Sequence, residues 1–166
     1  MTGATVLTFP AIDEAALGAI AVHLAASVSD GGVVYLRGEL GAGKTTFARA
    51  LLEALGVDAR IKSPTYSLIE SYAVAGLAVH HLDLYRIADS GELEWLGLAD
   101  LTGEPYLLLV EWPERAGRGL PGPDLILHLS HAGAVRDAVF SSSTPRGQQW
   151  LLRLAQRKSS IGNAPA

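Results

Sequence analysis

Residues 38–45 read Gly38-Glu39-Leu40-Gly41-Ala42-Gly43-Lys44-Thr45, a full match to the phosphate-loop (P-loop) pattern G-x-x-x-x-G-K-[ST]. Glycine opens backbone conformations closed to other residues, so successive N–H groups of such a loop can turn inward onto phosphate oxygens. A helix starting near Lys44 adds the partial positive charge of its N-terminus. Lys44 supplies a point charge for the outer phosphates, and the Thr45 hydroxyl can ligate Mg2+. With typical glycine usage of about 7%, a chance match somewhere in a chain this long has a probability of roughly one per cent or less.

The flanks of the loop agree with it. Val33-Val34-Tyr35-Leu36 is a continuous β-branched and aromatic run, as in a strand buried on both faces of a parallel sheet. From Thr45 to Leu55, Phe47, Ala48, Leu51, Leu52 and Leu55 fall on one helical stripe, and Gly56 stands where a C-terminal cap belongs.

Further out, Thr5 to Phe9 reads as a short strand. Ile12, Leu17, Ile20, Ala21, Leu24 and Val28 recur at helical spacing until Asp30-Gly31-Gly32. Tyr66 to Tyr72 and Leu77 to Leu84 read as strands about a turn at Ala75-Gly76, with a helix around Glu92 to Leu98 and a buried strand over Tyr106 to Val110. Leu125 to Leu129 and Val135 to Phe140 suggest a terminal hairpin, and Gln148 to Leu154 a last helix. The fold expected is α/β and P-loop NTPase-like: a mostly parallel sheet flanked by helices, with a C-terminal antiparallel hairpin. We expect one domain over residues 1–156 and a flexible tail over 157–166.

Composition narrows the function classes. With 49% apolar and 18% charged residues the chain has a globular balance. The absence of cysteine excludes disulfides, thiolate nucleophiles and Cys-based metal sites. The N-terminus lacks a basic region followed by a sustained apolar one, and Ala15 to Ala26 is too short and too interrupted to span a bilayer, so a cytoplasmic, membrane-free protein is expected. A net charge of −4, with 13 basic residues in no dense run, argues against stand-alone nucleic-acid binding.

A P-loop ATPase also needs an acid at the end of a neighbouring strand, to bind the metal and help place the attacking water. Glu111 ends the run Tyr106 to Val110 and Asp83 ends Leu77 to Leu82. In doubly wound sheets ligands sit at the carboxyl ends of strands, so both acids can converge on the Mg2+ side of a nucleotide. Ser63-Pro64-Thr65-Tyr66 lies between the loop helix and the next strand, where nucleotide-sensing loops often fall. His80 and His81 are neighbours on a strand, so they point to opposite faces and cannot grip one ion; they read as ordinary strand residues. Trp112 is either core packing or a wall of the site, and Arg86 and Arg115 are either phosphate contacts or members of surface ion pairs. The only asparagine is Asn163, so no Asn-Lys-x-Asp guanine reader is present and ATP is the expected nucleotide.

Gly38 to Thr46, Ser63-Pro64-Thr65-Tyr66, His81-Leu82-Asp83-Leu84-Tyr85-Arg86, Leu96-Gly97-Leu98 and Glu111-Trp112-Pro113-Glu114-Arg115 occur in that order. Together they resemble the TsaE (YjeE) family, bacterial P-loop ATPases of tRNA threonylcarbamoyladenosine formation, over about residues 12–140. The resemblance implies a weak ATPase serving the enzyme complex that modifies adenosine 37 of tRNAs reading ANN codons. It implies TsaD and TsaB as partners, TsaC as source of the activated donor, and contact with tRNA only through the complex. By the same resemblance Gly38, Glu39, Leu40, Gly41, Ala42, Gly43, Lys44, Thr45 and Thr46 hold ATP or ADP, and Thr45 and Glu111 ligate Mg2+. Asp83 assists hydrolysis or the metal shell, Thr65 belongs to the switch loop, and Trp112 borders the site. Lys44, Asp83, Thr65 and Glu111 form the expected catalytic set, and Arg136 is a base-contact candidate.

Two other readings fit a P-loop in a chain of this size. A small-molecule kinase would need a basic lid, for which Arg115 and Arg118 are the only close pair of arginines. A non-hydrolysing nucleotide sensor would not need Asp83 and Glu111.

Overall fold

Val33 to Leu36 do form the central strand. The structure is a computed structural model that describes residues 3–58, 60–103 and 105–162. In it β2 (Gly32–Gly38) pairs in parallel with β5 (Tyr106–Glu111) on one side and with β6 (Leu125–Ala132) on the other. β4 (Leu77–Asp83) joins β5 in parallel, and β3 (Ile69–Val74) closes that edge as the antiparallel partner of β4. At the other edge β7 (Val135–Ser142) returns antiparallel to β6 and pairs with β1 (Thr5–Ile12). The resulting order is β1-β7-β6-β2-β5-β4-β3, a mixed sheet whose four central strands are parallel.

Alternation along the central strands divides the core. Val34, Leu36, Leu107 and Leu109 face a large cluster built with α1 (Glu14–Val28), α2 (Lys44–Leu55) and α4 (Pro145–Gln156). Val33, Tyr35, Leu108 and Val110 face a smaller cluster on the other side with Leu82, Leu84 and Leu93. On α2 the buried positions are Lys44, Phe47, Ala48, Leu51 and Leu52, the spacing of one helix face, and Gly56 ends the helix in the left-handed conformation. No described helix is long and apolar enough to cross a membrane.

The connections hold the departures from expectation. The strand expected from Tyr66 begins only at Ile69, because Leu68 N–H bonds to Pro64 O in a turn and Leu68 takes a φ of 65°. The helix expected around Glu92 to Leu98 is a 3-10 segment over Ser90–Leu96, broken at left-handed Gly97 before the short α3 (Leu98–Leu101). Part of the expected tail is ordered: Lys158–Gly162 forms α5, and Ile161 is buried in the large cluster. Residues 163–166, including Asn163, lie outside the described residues, as do Met1 and Thr2.

One contact makes a sharp stability prediction. A Cβ at Gly147, in the first turn of α4, would lie 1.8 Å from the Asp124 carbonyl oxygen and 2.2 Å from Ser142 Oγ. Neither the backbone nor the capped helix can yield cheaply. Gly147→Ala is therefore expected to destabilise the protein by about 3 kcal/mol, read as a fall in the urea midpoint. An unchanged midpoint would refute this close approach.

Candidate functional site

Parallel pairing brings the carboxyl ends of β2, β4 and β5 to one end of the sheet, with Asp83 opposite Glu111 in register. The loop leaving β2 turns at Gly38, whose φ is 144° and whose Cβ would lie 2.3 Å from Leu129 O, so only glycine fits there. Ala42 N–H bonds to Glu39 O at 3.1 Å, and Gly43 starts α2 from a left-handed φ of 111° with no side-chain cap. The contrast with the other helices is informative: Asp13 caps α1 and Thr144 caps α4 with their side chains. The first turn of α2 keeps its donors available for an anion.

A cavity of about 410 Å3 opens over this loop, lined by Leu40, Gly41, Gly43, Lys44, Thr45, Thr46, Thr65, Asp83, Tyr85, Arg86, Glu111 and Trp112. Lys44 Nζ donates to Gly38 O at 2.6 Å and Glu39 O at 2.8 Å, and sits 4.4 Å from the Trp112 ring centroid. Burial lowers the Lys44 pKa, opposed by the charges of Glu111, Asp83 and Glu114. Thr45 Oγ1 donates to Glu111 Oε1 at 2.7 Å. Asp83 is buried; its Oδ1 accepts the Tyr85 N–H at 3.0 Å, and burial raises its carboxyl above the ordinary range, with the Glu111 charge adding to the rise. Thr65 Oγ1 lies 2.7 Å from Ser63 Oγ.

Of the residues singled out in the sequence, Lys44, Thr45, Thr46, Thr65, Asp83, Glu111 and Trp112 share this cavity. Gly38, Glu39 and Ala42 shape the loop beneath it without lining it. Arg136 lies behind the loop, its Nη1 donating to Ala42 O at 3.3 Å, and is not among the cavity-lining residues. Arg86 lines the cavity and lies over the Tyr66 ring, while Arg115 stacks near Tyr85 and Trp112. Arg118 lines a separate cavity with Leu93 and Gly97.

The two histidines do point apart, but only one is ordinary. His80 Nδ1 meets Ser71 Oγ at 2.8 Å, whereas His81 Nε2 meets Glu111 Oε2 at 2.6 Å in the buried floor of the site. The signal available in the sequence was the two-residue step from His81 to Asp83, which puts both on one face of the strand. Trp112 is the other surprise: it holds a left-handed φ of 59° directly after Glu111, a strained conformation for a bulky residue.

The model of the family described as Threonylcarbamoyl adenosine biosynthesis protein TsaE matches residues 11–138. The chain belongs to the TsaE family. It is 40% identical to the Haemophilus influenzae tRNA threonylcarbamoyladenosine biosynthesis protein TsaE over 116 residues, which cover 70% of this chain and 73% of the relative. With the Bacillus subtilis protein of the same name it shares 34% identity over 145 residues, 87% of this chain and 90% of the relative. The crystal structure of Bacillus subtilis YdiB superimposes with a TM-score of 0.75 at 29% identity, covering 95% of this chain and 99% of that one. The TsaE assignment and the α/β architecture thus rest on independent comparisons of sequence and of fold.

Proposed function

We propose that this TsaE-family chain binds Mg2+-ATP in the cavity over the Gly38 to Thr46 loop and hydrolyses it slowly in the cytoplasm. In this reading it is an accessory protein for threonylcarbamoylation of adenosine 37 in tRNAs that read ANN codons. It works with TsaD- and TsaB-type proteins, downstream of a TsaC-type enzyme, and meets tRNA only through that complex. One observation carries the reading: a glycine loop, an ammonium, a hydroxyl and two buried carboxylates from three different strand ends line one cavity.

The donor set suits the metal. No group of three or more His, Cys, Asp or Glu among the described residues could hold an ion alone. Mg2+ does not require one, since it binds through one or two protein oxygens, water and substrate phosphates. Thr45 and Glu111 would hold it, with Asp83 reaching it through water, and when bound it neutralises charge on the transferring phosphoryl group. Lys44 leaves its two loop carbonyls for the outer phosphates, guided by the face of Trp112. Asp83, with one oxygen fixed by Tyr85 N–H, would orient the water that takes the terminal phosphoryl group, leaving ADP and phosphate. Thr65, which lines the cavity from the loop before β3, would sense that group.

Titration calorimetry with ATP and GTP in Mg2+ tests the site, and ATP is expected to bind the more tightly. Absence of binding to both nucleotides would remove the proposal. The biological role is tested by reconstituted, multiple-turnover threonylcarbamoylation of tRNA, which is expected to stall without this chain; full activity in its absence would rule the role out.

A further inference from the structure

We propose that His81 is a positioning residue for Glu111, an inference that rests on the Mg2+-nucleotide reading above. The β4 and β5 register sets His81 opposite Leu109 and Asp83 opposite Glu111, so His81 and Glu111 share a face one diagonal apart. Each is only 2% exposed. A carboxylate this far from water needs donors on its oxygens. Glu111 has one on each: the Thr45 hydroxyl on Oε1 and the His81 imidazole on Oε2.

The imidazole is dedicated to this contact. A carboxylate only accepts, so Nε2 carries the hydrogen, and in the neutral ring Nδ1 is left as a lone pair. Nδ1 is buried and has no hydrogen-bond partner among the described residues. Glu111 is therefore the polar contact that orients the ring. In return the ring fixes Oε2, which keeps Oε1 on the Thr45 hydroxyl hydrogen and leaves the Thr45 oxygen lone pairs free for a cation. Partners of this kind, one bond behind the ligands, typically change metal affinity by about 10- to 100-fold when lost.

The test uses the full chain with three substitutions, His81→Phe, His81→Gln and His81→Asn. The readout is ATP affinity by calorimetry with Mg2+ and with chelator. Phenylalanine keeps the ring volume and removes the donor. Glutamine can place an N–H near the position of Nε2, whereas the shorter asparagine cannot. His81→Phe is expected to keep its chelator affinity and lose the Mg2+-dependent gain by about tenfold or more. His81→Gln is expected to stay near wild type, and His81→Asn to follow phenylalanine. If His81→Phe does not fold, the difference between Gln and Asn decides. An intact Mg2+ gain in His81→Phe, or equal losses in Gln and Asn, would overturn the positioning role alone. A wild-type protein that binds no nucleotide would overturn the nucleotide reading, and this inference with it.

Discussion

Lys44→Ala is expected to weaken Mg2+-ATP binding by about a hundredfold or more while leaving the protein folded. Hydrogen bonds to charged groups are worth about 1.5–3 kcal/mol each, and Lys44 can reach more than one phosphate oxygen. Structurally the ammonium is a burden in the free protein. Only 5% of Lys44 is exposed, and desolvation lowers its pKa from 10.5. A base whose folded pKa is lowered binds fewer protons folded than unfolded, so it destabilises the fold at neutral pH. That penalty lifts as pH rises through the lowered value towards 10.5. The carbonyls that Lys44 releases, Gly38 O and Glu39 O, belong to half-buried and exposed residues that water can reach. Calorimetry and thermal unfolding should therefore part company: binding collapses and the melting temperature does not fall. Unchanged ATP affinity would count decisively against the site.

Asp83→Asn is expected to separate binding from turnover in the complementary way. Amide and carboxylate have the same shape, and the amide oxygen can still accept the Tyr85 N–H now bonded to Oδ1 at 3.0 Å. Nucleotide affinity should stay within a few-fold. Hydrolysis should fall by about 10²- to 10⁴-fold, the range associated with a positioned acid or base. The pH dependence carries a sign. Burial first, and the Glu111 charge second, raise the Asp83 pKa above 3.8, so the folded protein binds this proton more readily than the unfolded chain. Stability conferred by the protonated form is complete below 3.8 and lost as pH rises through the raised value. The substituted amide carries no such charge, so the variant should be more stable than wild type at neutral pH and lose that advantage in acid. A variant that hydrolyses ATP at the wild-type rate would end the case for Asp83.

What could be read from the chain was what depends on local pattern. The loop glycines, the run Val33 to Leu36 and the stripe on α2 each carry their geometry in spacing, and the acids at the ends of β4 and β5 follow from where those runs stop. Pairing was less visible. The contact of His81 with Glu111 spans thirty residues and exists only because β4 lies beside β5. Arg136 reaches the loop at Ala42 from a distant hairpin, ninety-four residues on. Local breaks were missed where one residue decided them: left-handed Leu68 delays β3, and left-handed Gly97 divides the expected helix. α5 escaped because Ile161 is a single apolar residue among polar ones, too few for a periodic signal.

The glycine cap of α2 has a last consequence. A helix whose opening turn is left without a side-chain partner leaves the N–H groups of that turn to water or to a bound ligand. If the proposed nucleotide docks there, its phosphates also complete the helix end, and mass action would then link occupancy to resistance against unfolding and proteolysis. On the proposed reading, the chain without its nucleotide is expected to be cut by a protease more readily than the loaded one.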